Sequence, residues 1–226
     1  MKRIEFHEMI FVALYASLNV GLSLILSPPL KQIFTHIIAG IVLMVPLNFI
    51  LMWISKRIVP KFGSLTLYLS IYGLLSFATP LFGGVAGYYK IIIGAALGVA
   101  FDGIYLILEN KNQGLLIIVF SITGAFVWWI ITFTIWSAFG FAFVRAFSGL
   151  YNSVIPISSI ITIPITDFTA DWFIFTLICG LTSAIPVLIA VIASELIAKK
   201  IMKSALYTKF KNFSFGSIEE KENQNY

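Results

Sequence analysis

Lys90, Gly94, Gly98 and Asp102 recur every four residues in an otherwise apolar stretch. On a helix they share one face. A lysine marks one end of that face, and an aspartate lies about 18 Å further along by helical rise. A carboxylate inside an apolar helix is costly and faces a bundle interior or water. Two readings follow. Asp102 serves a polar cavity or an ion or proton site, or it is a structural acid satisfied by hydroxyls and amides such as those of Asn19, Asn48 or Tyr72. Its position nearer the inner surface than the midplane favours the second.

Other polar and aromatic groups gather on what the charge pattern below makes the outer side: Tyr88, Tyr89, Lys90, Arg145, Tyr151, Asn152, Asp167 and Asp171, beside a Gly83-Gly84 turn. Small-molecule pockets are usually apolar and aromatic with a few convergent polar groups. The expected substrate-binding set is therefore Tyr88, Tyr89, Lys90, Trp128, Trp136, Arg145, Asn152 and Asp167, and its mixed charge suits a zwitterionic or heteroaromatic ligand. The competing reading is a solvated rim, with Trp128 and Trp129 in packing and Trp136 an interfacial anchor. Ala13, Ser17 and Gly21 also recur every four residues and make a smooth face on which another helix can pack closely. Either a partner subunit docks there or the chain's own helices do.

Several chemistries lack their residues. There is no H-E-x-x-H, G-x-S-x-G or phosphate-binding loop, and the two histidines, His7 and His36, fall on opposite sides of the membrane. The single cysteine, Cys179, can neither form an intrachain disulfide nor seed a metal set. No enzyme activity, cofactor or metal is expected. The net charge of +5 does not indicate nucleic acid, because the basic residues flank apolar runs.

These residues must be positioned by membrane helices. Of 226 residues, 59% are apolar and 11% charged, too few charges to cover a water-facing surface. A span needs about 20 apolar residues. Six are predicted: Glu8 to Ser27, stopped by Pro28-Pro29; Gln32 to Ser55; Gly63 to Thr79; Tyr88 to Leu108; Gly114 to Phe139; and Trp172 to Ala198. The first is too long for a signal core and is expected to be retained. A loop of about 30 residues precedes the last helix, and loops of that length are often functional. Residues 1–203 thus form an all-α domain of six transmembrane helices. Residues 204–226 form a polar tail, disordered toward Glu219–Tyr226.

With the N-terminus inside, the inner segments carry twelve lysines and arginines and the outer segments three, Lys31, Lys90 and Arg145. That bias places both termini in the cytoplasm, in a multi-pass protein of the cell membrane.

Six helices, inner termini and outer ligand groups resemble the substrate-binding S components of energy-coupling-factor (ECF) vitamin transporters. Ala13-Leu-Tyr-Ala-Ser-Leu-Asn-Val-Gly21 is similar to the small-residue helix by which those proteins dock, with Ser17 where the family usually has alanine. Pro80-Leu-Phe-Gly-Gly-Val-Ala-Gly-Tyr-Tyr-Lys90, then Gly94, Gly98 and Asp102, is similar to a glycine-rich third loop and fourth helix of that family. The resemblance implies capture of a vitamin or similar nutrient from outside, association with a T component and two ATPase subunits, and release inside by toppling in the bilayer. Two other classes stand beside it: a small ion-coupled secondary carrier using Asp102, and a noncatalytic membrane subunit of a larger complex.

Overall fold

The computed structural model describes residues 4–33, 40–79, 87–138 and 168–204. All regular structure among them is helical: α1 (Phe6–Ile33), α2 (Val45–Ile58) entered through a π-helical turn (Gly40–Met44), α3 (Ser64–Ser76), α4 (Tyr89–Leu108), α5 (Gln113–Ala138) and α6 (Phe168–Met202).

Five stretches are long and apolar enough to cross a membrane: Phe6–Pro29, Gly40–Ile58, Tyr89–Leu108, Gln113–Ile135 and Thr176–Met202. The remaining helix, α3, has 13 residues. It rises about 20 Å, short of the roughly 30 Å of hydrocarbon. At the other extreme, the 35 residues of α6 rise about 52 Å. Large apolar side chains also point outward on every long helix, among them Leu14, Ile25, Val99, Ile107, Ile118, Ile185 and Ile189. A helix apolar both inside and outside its bundle suits lipid and not water.

Each helix packs on two neighbours in the cyclic order α1, α3, α4, α5, α6, α2 and back to α1, and α2 also touches α3. The α2 span is the most enclosed, with 61% of it buried against 28–44% for the others. Its aromatic side chains build the centre. Phe49 meets Phe101 (5.4 Å between ring centroids), Trp128 (6.0 Å) and Phe120 (6.1 Å), and Trp53 meets Phe120 (5.1 Å) and Tyr105 (6.1 Å). Lipid tails are as apolar as this core, so the close packing of rings, and not escape from the surroundings, holds it.

Three sequence expectations change. Pro28 and Pro29 do not end the first helix, because α1 continues to Ile33. Proline removes hydrogen bonds to carbonyls one turn earlier, yet its fixed φ is helical, and unravelling in lipid would expose still more backbone. Asp171 lies within α6 and not in the preceding loop. The second helix runs on to Ile58, past Ser55, while its expected start at Gln32 falls on α1. Pro46 is accommodated near the start of α2, where a missing N–H costs little. The Gly83-Gly84 turn, His36, Arg145, Tyr151, Asn152, Asp167 and the tail from residue 205 lie outside the described residues.

Candidate functional site

The Lys90–Asp102 face of α4 is occupied by α3. A Cβ added at Gly94 would sit 2.2 Å from the Leu69 carbonyl oxygen, and one at Gly98 would sit 2.4 Å from Thr66 Cα. Gly73 returns the contact from α3, where a Cβ would lie 2.4 Å from the Lys90 carbonyl oxygen. The glycines thus let two backbones touch. The charged residues at either end of the stripe then reach the two ends of α3. Asp102 Oδ2 accepts from the Thr66 N–H (2.9 Å) and hydroxyl (2.8 Å), satisfying a first-turn donor that α3 cannot satisfy itself. The fully buried Lys90 ammonium donates to the carbonyls of Ser76 (3.1 Å) and Thr79. A carboxylate thus sits at the positive end of the helix dipole and an ammonium at the negative end.

The other Asp102 oxygen accepts from Lys56 Nζ at 2.8 Å, both side chains being buried. Lys56 also donates to the Lys61 carbonyl (3.0 Å) and lies 4.5 Å from the centre of the Tyr105 ring. Its sequence neighbour Arg57 turns to a second buried acid, Glu195 of α6. Arg57 Nη2 donates to Oε1 (3.2 Å), and Nε lies 3.0 Å from Oε2. Glu195 also accepts from Trp53 Nε1 (2.8 Å) and from Gln113, and Lys199 stands 3.6 Å away. Lys61 pairs with Glu8 (2.7 Å) and Glu5 (3.1 Å), next to α1. Burial pulls the Lys61 pKa down, but the hydrogen bonds and charges of Glu8 and Glu5 outweigh it and leave the ammonium above its ordinary value. All six helices or their flanking turns therefore meet in one polar floor at the Lys56 end. The ion pairs seen between described residues all lie there.

Asn19, Asn48 and Tyr72, expected as partners of Asp102, belong instead to a separate seam between α1, α2 and α3. Asn19 Nδ2 donates to Asn48 Oδ1 (2.6 Å), and Asn48 Nδ2 to the Met44 carbonyl (2.8 Å) and the Tyr72 hydroxyl (3.4 Å). Two four-residue repeats line this seam, Asn19-Ser23-Ser27 on α1 and Tyr68-Tyr72-Ser76 on α3, all buried. The Tyr68 hydroxyl is buried beside Asn19 and, among the described residues, makes no hydrogen bond of good geometry.

The expected substrate-binding residues separate. Tyr88 is exposed beside Phe77 (4.9 Å between ring centroids), Tyr89 is buried, and Lys90 is engaged at the end of α3. Trp128 is in the core, stacked on Phe101 at 6.4 Å. Phe101 is twelve residues from Tyr89 on α4, about 18 Å by helical rise, so Trp128 and the Tyr88–Lys90 group stand at different depths. Trp136 falls within α5, but its side chain, like all of Arg145, Asn152 and Asp167, lies outside the described residues.

The Ala13-Ser17-Gly21 face is not the packed face of α1. The buried positions are Val12, Ala16, Asn19, Val20, Ser23 and Ser27. Ala13 and Gly21 are partly exposed and Ser17 is exposed, its hydroxyl returned to the Ala13 carbonyl (2.8 Å). A Cβ at Gly21 would meet nothing within 4 Å.

The sequence reading missed Glu195 and its donors Trp53, Arg57 and Gln113. The signal was present: Glu195 is a carboxylate inside a predicted apolar helix, as Asp102 is. No family model matches the chain, and neither a characterised protein nor a solved structure matches it.

Proposed function

We propose that the chain crosses the membrane six times with both termini in the cytoplasm, and serves as the substrate-capture subunit of an ECF-type transporter for a vitamin or similar small nutrient. α3 is the sixth crossing, its short ends satisfied by Asp102 and Lys90 in place of water. The charge bias makes the Lys56 end cytoplasmic.

The observation that carries this reading is the set of ion pairs that ties the helices together at the Lys56 end. The cytoplasmic end is tied across all the helices by Lys56–Asp102, Arg57–Glu195 and Lys61–Glu8. Breaking a buried pair by removing one partner costs about 3–5 kcal/mol, so an exit opened through this floor is expensive. A subunit that takes its ligand from outside and needs partners to release it fits such a floor. Docking of those partners, the T component and its two ATPase subunits, falls on Ala13, Ser17 and Gly21, whose smooth face the chain leaves open. A solitary carrier that couples an ion through Asp102 draws less support, since both carboxylate oxygens are engaged.

The test is a mild-detergent pull-down of the tagged protein from native membranes, with mass spectrometry of what accompanies it. Recovery of a second multispanning protein with ABC-type ATPases supports the proposal. Recovery alone, joined with uptake by the purified chain in vesicles that an uncoupler abolishes, establishes the carrier instead. Recovery in an unrelated complex establishes the noncatalytic subunit.

A further inference from the structure

The polar floor uses its acids inward. Asp102 and Glu195 are buried, and Glu5 and Glu8 close on Lys61. Outside the floor remain four exposed lysines: Lys111 in the turn between α4 and α5, and Lys199, Lys200 and Lys203 at the end of α6. Glu109 is the exposed acid beside them. Among the described residues no carboxylate lies within ion-pair distance of Lys111, Lys200 or Lys203. Lys199 shares Glu195 at 3.6 Å while its side chain stays 49% exposed.

Tertiary structure brings together the two helix ends that carry these lysines. Gln113, two residues after Lys111, donates to the same Glu195 Oε1 that Lys199 approaches, so the start of α5 is held against the last turns of α6. Within about two turns, the same helices expose Leu115 and Ile118 on α5 and Ile192, Leu196 and Ile197 on α6. A cationic rim thus stands over an apolar strip, and α6 is long enough to carry its lysines beyond the hydrocarbon.

We infer that this rim and strip form a binding site for an anionic phospholipid of the adjoining leaflet. The phosphodiester rests among Lys111, Lys199, Lys200 and Lys203, and the acyl chains lie along α5 and α6. Charge complementarity selects the headgroup, and the exposed apolar strip selects a lipid over a soluble anion. The inference does not depend on what the chain transports. Each lysine near an anionic surface strengthens association roughly fivefold at low salt, and the effect falls with ionic strength.

The experiment reconstitutes the full chain in phosphatidylcholine vesicles containing phosphatidylglycerol, then extracts it and measures the retained lipids by native mass spectrometry. Phosphatidylglycerol should be retained over phosphatidylcholine by at least about an order of magnitude. The variant Lys111→Gln/Lys199→Gln/Lys200→Gln/Lys203→Gln should lose that preference, and the matching arginine variant should keep it. Should the glutamine variant fail to fold, Lys200→Gln/Lys203→Gln alone should cut retention by about an order of magnitude. Equal retention of the two lipids, or a preference that survives in a folded glutamine variant, overturns the inference. Displacement of the lipid by millimolar glycerol phosphate would also overturn it, showing a site for the phosphate alone.

Discussion

Asp102 and Lys90, twelve residues apart on α4, hold opposite ends of α3: the carboxylate accepts the Thr66 N–H at 2.9 Å, and the ammonium donates to the Ser76 carbonyl at 3.1 Å. The ends of this 13-residue helix are thereby satisfied by side chains, where in hydrocarbon an unsatisfied terminus would cost several kcal/mol per group. Asp102→Asn preserves shape but leaves the buried Lys56 without its counter-charge. The expected loss is about 3–5 kcal/mol, read as a shift in unfolding by denaturing detergent. Lys56→Met/Asp102→Leu, which removes both charges, should recover part of it. An Asp102→Asn variant as stable as the native chain would show that the pair contributes nothing.

The glycines of the same stripe should be intolerant of a single methyl group. Gly94→Ala and Gly98→Ala force α3 and α4 apart against backbone atoms that cannot rotate away. Each should cost more than about 3 kcal/mol, the upper range for overpacking. Gly103→Ala, on the same helix with nothing within 4 Å of the added carbon, should be neutral or stabilising by up to about 1 kcal/mol from helix propensity. Equal behaviour of Gly98→Ala and Gly103→Ala in thermal unfolding would contradict the close approach.

Tyr68 offers a test of opposite sign. Among the described residues its buried hydroxyl makes no hydrogen bond of good geometry, with Asn19 its polar neighbour, so Tyr68→Phe removes a poorly satisfied group without changing the packing. Stability should rise by about 1 kcal/mol, the low end of the cost of such a group. A loss on substitution would mean that the hydroxyl is satisfied in the membrane.

Ser17→Leu and Gly21→Leu alter a face that the chain leaves open. Both variants should unfold like the native protein and, on the proposed transporter function, keep ligand binding yet recover less of the T component and ATPases proposed as partners in the pull-down. Unchanged complex yield would remove α1 from the docking surface.

Lys61 links α1 to the turn after α2 through Glu8 and Glu5. Its pKa is raised in the fold, burial opposing and the two carboxylates more than compensating. A raised lysine pKa contributes stability that is present in full below the unfolded value, near 10.4, and is lost as pH rises through the higher folded value. The midpoint of unfolding should therefore fall more steeply above about pH 10 in the native chain than in Lys61→Gln. Parallel profiles would show that the charge of Lys61 is not linked to folding.

The sequence by itself determined that the chain is helical with long apolar spans, because hydrocarbon thickness fixes how long an apolar run must be and each run is local, although the third run, expected from Gly63 to Thr79, is only the 13-residue α3. The fourth helix was expected from Tyr88 to Leu108 and is found from Tyr89 to Leu108; the fifth was expected from Gly114 and begins at Gln113. That Lys90, Gly94, Gly98 and Asp102 share one face also follows from helical spacing alone. Tertiary structure alone decided what that face meets. Asp102 finds Lys56 across 46 residues, and Glu195 finds Arg57, Trp53 and Gln113 across 138, 142 and 82. It also decided that Ala13, Ser17 and Gly21 point away from the bundle while Asn19 points into it. Helical periodicity specifies which residues share a face, but the direction of that face depends on which helices pack together, and no local spacing records that choice.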